Sequence, residues 1–222
     1  MNITGAIFDM DGTLIDSLGF WDFLWETLGE KYLGDKSFRP DAVTEKAVRT
    51  VTLYDGMCIV HNNCKIAESS EALFAVAEEM LKNFYEEKVE MKPGALEFLK
   101  YLKQRGVKMC IASATVPHLI GTIMDKFDLH RFFKRVFSCN DVGKGKEHPD
   151  VFIEAHRYLK TPKESTFIFE DSIVALETAT KAGYHTVGVY DRFNFALDKV
   201  KKISTVYIDK GESLTKIIPE IE

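Results

Sequence analysis

From Lys92 to Ile208, short apolar runs alternate with amphipathic segments, and this rhythm leaves the chain few folds to choose from. The runs VKMCIAS (107–113), RVFSC (135–139), TFIFED (166–171), HTVGVY (185–190) and TVYI (205–208) have strand length and strand composition. Between them, Pro93-Gly94 opens a helix that runs through Arg105 and is closed by Gly106. Pro117 starts another to about Phe127, a third lies near Val151–Tyr158, and a fourth stops at Gly183. Strands that alternate with helices join in parallel through right-handed crossovers. The predicted fold is therefore α/β: a doubly wound parallel sheet, Rossmann-like. Ile3 and Ala6–Phe8 supply its first strand.

Residues 18–87 break the rhythm. LGFWDFLWETLGEKYL places Phe20, Phe23, Leu24 and Leu28 at helical spacing. SSEALFAVAEEMLKNFYEEK repeats Leu73, Val76, Ala77, Met80, Leu81 and Phe84 in the same way, with Ser69 or Ser70 as its cap. No alternating strand pattern occurs in this window. The expected division is an α/β core of residues 1–15 and 88–222, interrupted by a smaller all-helical cap of residues 16–87.

In open α/β sheets, ligands bind beyond the carboxyl ends of the strands. Asp9 and Asp11 follow the first strand here, Ser113 the second, and Glu170 with Asp171 a later one. The loop after RVFSC carries Lys144 and Lys146. Gly12 bends the chain after the aspartates, so Asp9 can present a carboxylate nucleophile while Asp11 exchanges protons beside it. Carboxylates do attack phosphorus, forming an aspartyl-phosphate. Two close negative charges require a cation to offset their repulsion. Asp171 would complete an oxygen-rich site suited to Mg2+. Ser113 and a lysine would hold the phosphate oxygens, helped by the helix that begins near Pro117.

Four stretches carry a resemblance. DMDGT (9–13), IASAT (111–115), KEHPD (146–150) and FEDS (169–172) resemble, in order and spacing, the four motifs of the haloacid dehalogenase-like hydrolase superfamily. The helical insert is similar to that of the branch containing phosphoglycolate phosphatase and β-phosphoglucomutase. The resemblance implies that Asp9 attacks phosphorus, while Asp11 protonates the leaving oxygen and then activates water. It implies that Asp9, the backbone carbonyl of Asp11, and Asp171 hold Mg2+, with Glu170 just behind them. Ser113, Ala114 and Lys146 would bind the transferring phosphoryl group. Glu147 stands where the family usually has proline, but the offset of Lys146 from Pro149-Asp150 favours Lys146 over Lys144. The implied activity is Mg-dependent hydrolysis of a small phosphomonoester. The alternative is a sugar phosphomutase of the β-phosphoglucomutase type, whose linker histidine is replaced here by Trp21.

Composition sets further expectations. A formal charge of −5 disfavours a broad nucleic-acid surface. The four cysteines are too sparse for a disulfide scaffold, and no membrane span or leader is evident. The expected partner is a small phosphorylated metabolite, with neither nucleic acid nor membrane. The expected location is the cytoplasm, as a monomer or weak dimer. Cys58, His61 and Cys64 supply three ligands without a fourth and read as structural. Phe20, Trp21, Phe23 and Trp25 are expected in the cap core, with Trp21 the one nearest the hinge. His118 reads as a surface residue at a helix start, and Phe193 with Phe195 as sheet-edge packing. Substrate contacts are expected from residues 40–64, RTVTLYDG (49–56) foremost, and hinges near Asp16–Ser17 and Glu90–Pro93.

Overall fold

Six parallel strands pair in the order β3-β2-β1-β4-β5-β6 in the computed structural model, which describes residues 1–49 and 51–221. They are β1 (Gly5–Phe8), β2 (Lys108–Ser113), β3 (Val136–Ser138), β4 (Thr166–Glu170), β5 (His185–Val189) and β6 (Val206–Ile208). β1 and β4 are wholly buried, as parallel strands covered on both faces must be. Alternate residues feed two cores. Phe8 stacks on Phe169 at 4.3 Å between ring centroids and meets Phe133 edge-on at 5.8 Å. Ile7, Cys110, Ala112 and Ile168 face the opposite layer.

Residues 20–87 fold as α1 (Phe20–Leu33), α2 (Ala42–Val48), α3 (Leu53–Cys64) and α4 (Ser70–Glu87). The sheet is covered by α5 (Ala95–Gln104), α6 (Pro117–Lys126), α7 (Cys139–Val142), α8 (Asp150–Leu159), α9 (Ile173–Lys181), α10 (Leu197–Ile203) and α11 (Ile218–Ile221). Ser69 caps α4 by accepting the Ala72 amide at 3.2 Å. β3 is shorter than expected, because Ser138 caps α7 and Cys139 already belongs to that helix. Ser172 occupies the cap position of α9, yet its side chain accepts no capping bond. Phe20 and Trp25 are buried as expected, and Trp21 partly so. Phe23 is 38% exposed, lying against Phe84 and beneath the Lys88 ammonium at the surface.

The strand order fixes where a ligand can sit. β1 leads to β2 and β3 on one side, and β4 leads to β5 and β6 on the other. The crossovers therefore diverge between β1 and β4, leaving a crevice at their carboxyl ends. Register aligns Phe8 with Phe169 and with Ile111. Asp9 thus follows one strand directly beside Glu170 on the next.

Two chain crossings join the helical insert to the sheet, and they run side by side. Ile15 and Met91 form an antiparallel bridge; the Asp16 amide donates to Glu90 and the Lys92 amide to Leu14. Lys92 then reaches across to Asp191, 2.6 Å away and almost fully buried. Removing one partner of a buried pair leaves an uncompensated charge. Lys92→Met is expected to lower unfolding free energy by about 3–5 kcal/mol, read as a drop in urea midpoint; a loss under about 1 kcal/mol would show that this bridge does not secure the crossing.

Candidate active site

β1 ends in Asp9, and Gly12 turns the chain with φ of 80°. A Cβ at Gly12 would stand 2.6 Å from Asp171 Oδ2, so only glycine allows this approach. β4 delivers Glu170 and Asp171 to the same place. Carboxylate oxygens of Asp9, Glu170 and Asp171, all buried, lie within 4.8 Å of one another. The Lys146 ammonium bonds to Asp9 and, at 3.0 Å, to Glu170. Three carboxylates facing one ammonium leave an excess of negative charge. An all-oxygen donor set of this kind fits a hard divalent cation.

Burial first, then the Asp9 charge, pushes the Glu170 and Asp171 carboxyls above the ordinary carboxylate range. Burial by itself would disfavour the charged form of Lys146, but Asp9 and Glu170 outweigh it and hold the ammonium charged. Asp171 is steadied by Thr13, whose hydroxyl donates to Oδ1 at 3.0 Å. Asn194 donates from its amide both to Asp171 Oδ2 at 2.7 Å and to its backbone carbonyl at 2.8 Å.

Asp11 stands apart from this cluster. Its Oδ1 accepts the Ser17 hydroxyl at 2.7 Å and the Tyr85 hydroxyl at 2.5 Å, and its Oδ2 accepts Thr115 at 2.9 Å. Burial and the Asp9 charge push its carboxyl up, against the pull of these three donors. Burial and the Asp11 charge also keep the Tyr85 phenol protonated, so it remains a donor. Ser113 is buried at the end of β2, and its Oγ accepts the Thr115 amide at 3.0 Å. Val116 offers no capping side chain to α6; Pro117 has no N–H, and the Leu119 and Ile120 amides turn back to the Val116 carbonyl at 3.1 and 3.2 Å.

A cavity of about 200 Å³ opens above these groups. Asp9, Asp11, Ser113, Ala114, Lys146, Glu170 and Asp171 all border it, so every site residue named from the motifs reaches one place. Lys144 does not; it pairs with Asp150 at 2.8 Å on the surface. His118 is exposed and pairs with Glu78, and His61 turns its Nδ1 to the Ile66 carbonyl. Arg49, Val51, Thr52 and Leu53 of the expected substrate segment border the cavity, as does Trp21; Thr50 lies outside the described residues.

Phe193 and Phe195 correct an expectation. They do not pack at the sheet edge but border the cavity. Asp191 is anchored to Lys92 and Asn194 to Asp171, which draws this loop across the strand ends and carries both rings inward. Thr13 and Thr115 lay within the quoted motifs without being singled out. Ser17, Tyr85 and Asn194 lay outside them. Tyr85 falls on the buried stripe of α4, where nothing in the sequence marks its hydroxyl.

Residues 6–189 match the profile of the haloacid dehalogenase-like hydrolases. The chain belongs to this family. Among its relatives is the phosphorylated carbohydrates phosphatase of Thermotoga maritima, 24% identical over 217 residues that cover 97% of this chain and 98% of that one. Hexitol phosphatase B of Escherichia coli K12 is 27% identical over 191 residues, 84% of this chain and 83% of that one. The crystal structure of β-phosphoglucomutase from Clostridium difficile shares the fold, with a TM-score of 0.75 at 16% identity, covering 99% of this chain and 96% of that one. Haloacid dehalogenase-like hydrolases with named phosphatase relatives thus form the setting in which this acidic cluster is read.

A carboxyl with a higher pKa folded than unfolded keeps its proton longer in the folded chain. Stability then falls as pH rises from the ordinary carboxylate range toward the raised values. Without metal, the melting temperature is expected to decline between about pH 5 and pH 8. A divalent cation that binds the cluster, at 100 times its dissociation constant, should restore about 2.7 kcal/mol at the upper end and less at the lower, where protons compete. A metal-free melting temperature that climbs across this range would contradict the assigned shifts.

Proposed function

We propose that this chain is a magnesium-dependent phosphatase of small phosphomonoesters that works through an aspartyl-phosphate on Asp9. The convergence of Asp9, Ser113, Lys146 and Asp171 on one cavity carries the reading. Asp9, Asp171 and the backbone carbonyl of Asp11 would hold the ion, with Glu170 locking Lys146 in place. When bound, the ion offsets the charge of the phosphoryl group and of the carboxylates around it.

An Asp9 oxygen attacks phosphorus as the bond to the leaving oxygen breaks, and Asp11 gives its proton to that oxygen. Asp11 then takes a proton from water, whose oxygen attacks the phosphorus and frees Asp9. Lys146 and the Ser113 hydroxyl hold the phosphoryl oxygens that do not react, and the N-terminal end of α6 adds the positive end of its helix dipole. Ser17, Tyr85 and Thr115 keep Asp11 from turning toward the carboxylate cluster. Residues 16–87 act as a lid on the paired crossings at Ile15–Asp16 and Glu90–Lys92, excluding water during transfer. A lid over the site favours small metabolites over phosphoproteins.

Asp9→Asn is expected to abolish turnover with the fold retained, and substantial residual activity would remove Asp9 as nucleophile. Asp11→Asn should slow dephosphorylation so that the phosphorylated protein accumulates, visible by intact mass. Lys146→Met should cost about 10²–10³ in kcat, whereas Lys144→Met should leave kcat within twofold. Chelation should silence the enzyme and Mg2+ restore it. With β-glucose 1-phosphate, release of free phosphate supports the hydrolase; glucose 6-phosphate as the product would establish the mutase instead.

A further inference from the structure

The part of the cavity away from the phosphoryl-binding rim has an unusual composition for a chain whose relatives are named for carbohydrates and hexitols. Its walls are Trp21 and Leu53 from the helical insert and Val116, Phe193 and Phe195 from the core. Among the lid-side polar groups, Lys46 is exposed to water and the Thr52 hydroxyl is already given to Asp55 at 2.7 Å. Arg49 differs. Its side chain is only 10% exposed, and its guanidinium stands 5.9 Å from the Trp21 ring, 5.9 Å from Phe193 and 5.8 Å from Phe195. Nη2 is bonded to Glu45, but Nε and Nη1 are buried and find no acceptor among the described residues.

Buried donors without acceptors are costly, and Arg49 borders the cavity, so a guest toward which its side chain shifts would supply the missing acceptor. A polyhydroxylated chain would place those of its hydroxyls that meet the three rings against apolar surface, each unpaired group costing about tenfold in affinity. A flat apolar ring loses nothing there and gains from stacking. Size agrees: a void of roughly 150 Å³ holds benzene, so about 200 Å³ is matched to one ring beside a phosphoryl group. Phe195 borders the cavity and is 38% exposed, so part of its ring is left uncovered by the protein.

We infer that the leaving-group subsite takes a single planar ring bearing a carbonyl or carboxylate acceptor at its far end, with Arg49 as the specificity-determining donor. The inference rests on the phosphatase reading for its reaction, and on the box itself for its ligand. The substrate class is then a ring-methyl phosphomonoester with an acceptor opposite the phosphate, not a sugar or polyol phosphate.

Three esters of primary alcohols test this, namely benzyl phosphate, 4-carboxybenzyl phosphate and sorbitol 6-phosphate, with acetyl phosphate as a probe too short to reach the box. The expected order in kcat/KM is 4-carboxybenzyl over benzyl by about tenfold, and benzyl over sorbitol 6-phosphate by about tenfold. Arg49→Met should bring the two benzyl esters within twofold of each other. Phe195→Ala should shrink the benzyl-to-sorbitol ratio. Both readouts are ratios within one preparation, so partial misfolding cancels. Sorbitol 6-phosphate as the best ester, or a carboxylate advantage that survives Arg49→Met, overturns the inference. Turnover of acetyl phosphate without turnover of either benzyl ester overturns it too. Tryptophan fluorescence of the Asp9→Asn protein, titrated with 4-(hydroxymethyl)benzoate, reads the box without chemistry. Saturable quenching lost in Asp9→Asn/Arg49→Met supports the subsite even if no phosphate ester is hydrolysed, in which case the phosphatase reading alone falls; absence of quenching overturns the subsite.

Discussion

Charge buried without a partner is the constraint around which this molecule is arranged. Asp9, Glu170 and Asp171 bring three carboxylates within reach of one another, away from water, with the Lys146 ammonium among them. Nothing in ordinary packing favours such a cluster. It persists because each member is held from elsewhere: Asp171 by Thr13 and Asn194, Glu170 by Lys146 and by the Asp171 amide. The remaining imbalance of charge is what suits the place to a divalent cation. A well-packed hydrophobic substitute would be as stable and inert.

Holding these groups requires connections that run between the layers. The loop after β5 is fastened at Asp191 to Lys92, beside the paired crossings, and at Asn194 to Asp171. A single short segment thus links the base of the helical insert, the Asp171 carboxylate and the aromatic wall of the cavity. Asp11 has a similar double allegiance. Its carboxylate is gripped by Ser17 at the crossing, Tyr85 from α4 and Thr115 beyond β2. Motion of the insert would therefore be felt at Asp11 through the Tyr85 hydroxyl. Lys126 reinforces the same corner by donating to the carbonyls of Tyr85 and Val89 at the end of α4.

The chain itself was explicit about certain things. Strand and helix alternation is a local signal, written in side-chain periodicity and in Pro and Gly punctuation, so all six strands and the helical insert were legible before any coordinates. The aspartates, Ser113 and Glu170-Asp171 were legible because they stand at strand ends, and Lys146 because of its offset from Pro149-Asp150 in a recognisable motif order. What periodicity does not encode is where a polar atom on a buried stripe points. Tyr85 belongs to the same face as Leu73, Ala77 and Leu81, and only the approach of α4 to the end of β1 makes its hydroxyl a partner of Asp11. Phe193 and Phe195 read as edge residues because their neighbourhood depends on two anchors, Lys92 and Asp171, about 100 and 20 residues away in sequence. Arg49 opened the stretch expected to face substrate, but nothing there singled it out; its surroundings come from three rings contributed by two distant segments. Sequence alone determined the sheet, the helical insert and the polar groups gathered at the carboxyl ends of the strands, since these follow from short-range patterns and motif positions. Tertiary structure decided which hydroxyls restrain Asp11 and which walls a substrate meets, because those depend on side chains that converge only after non-local packing is complete.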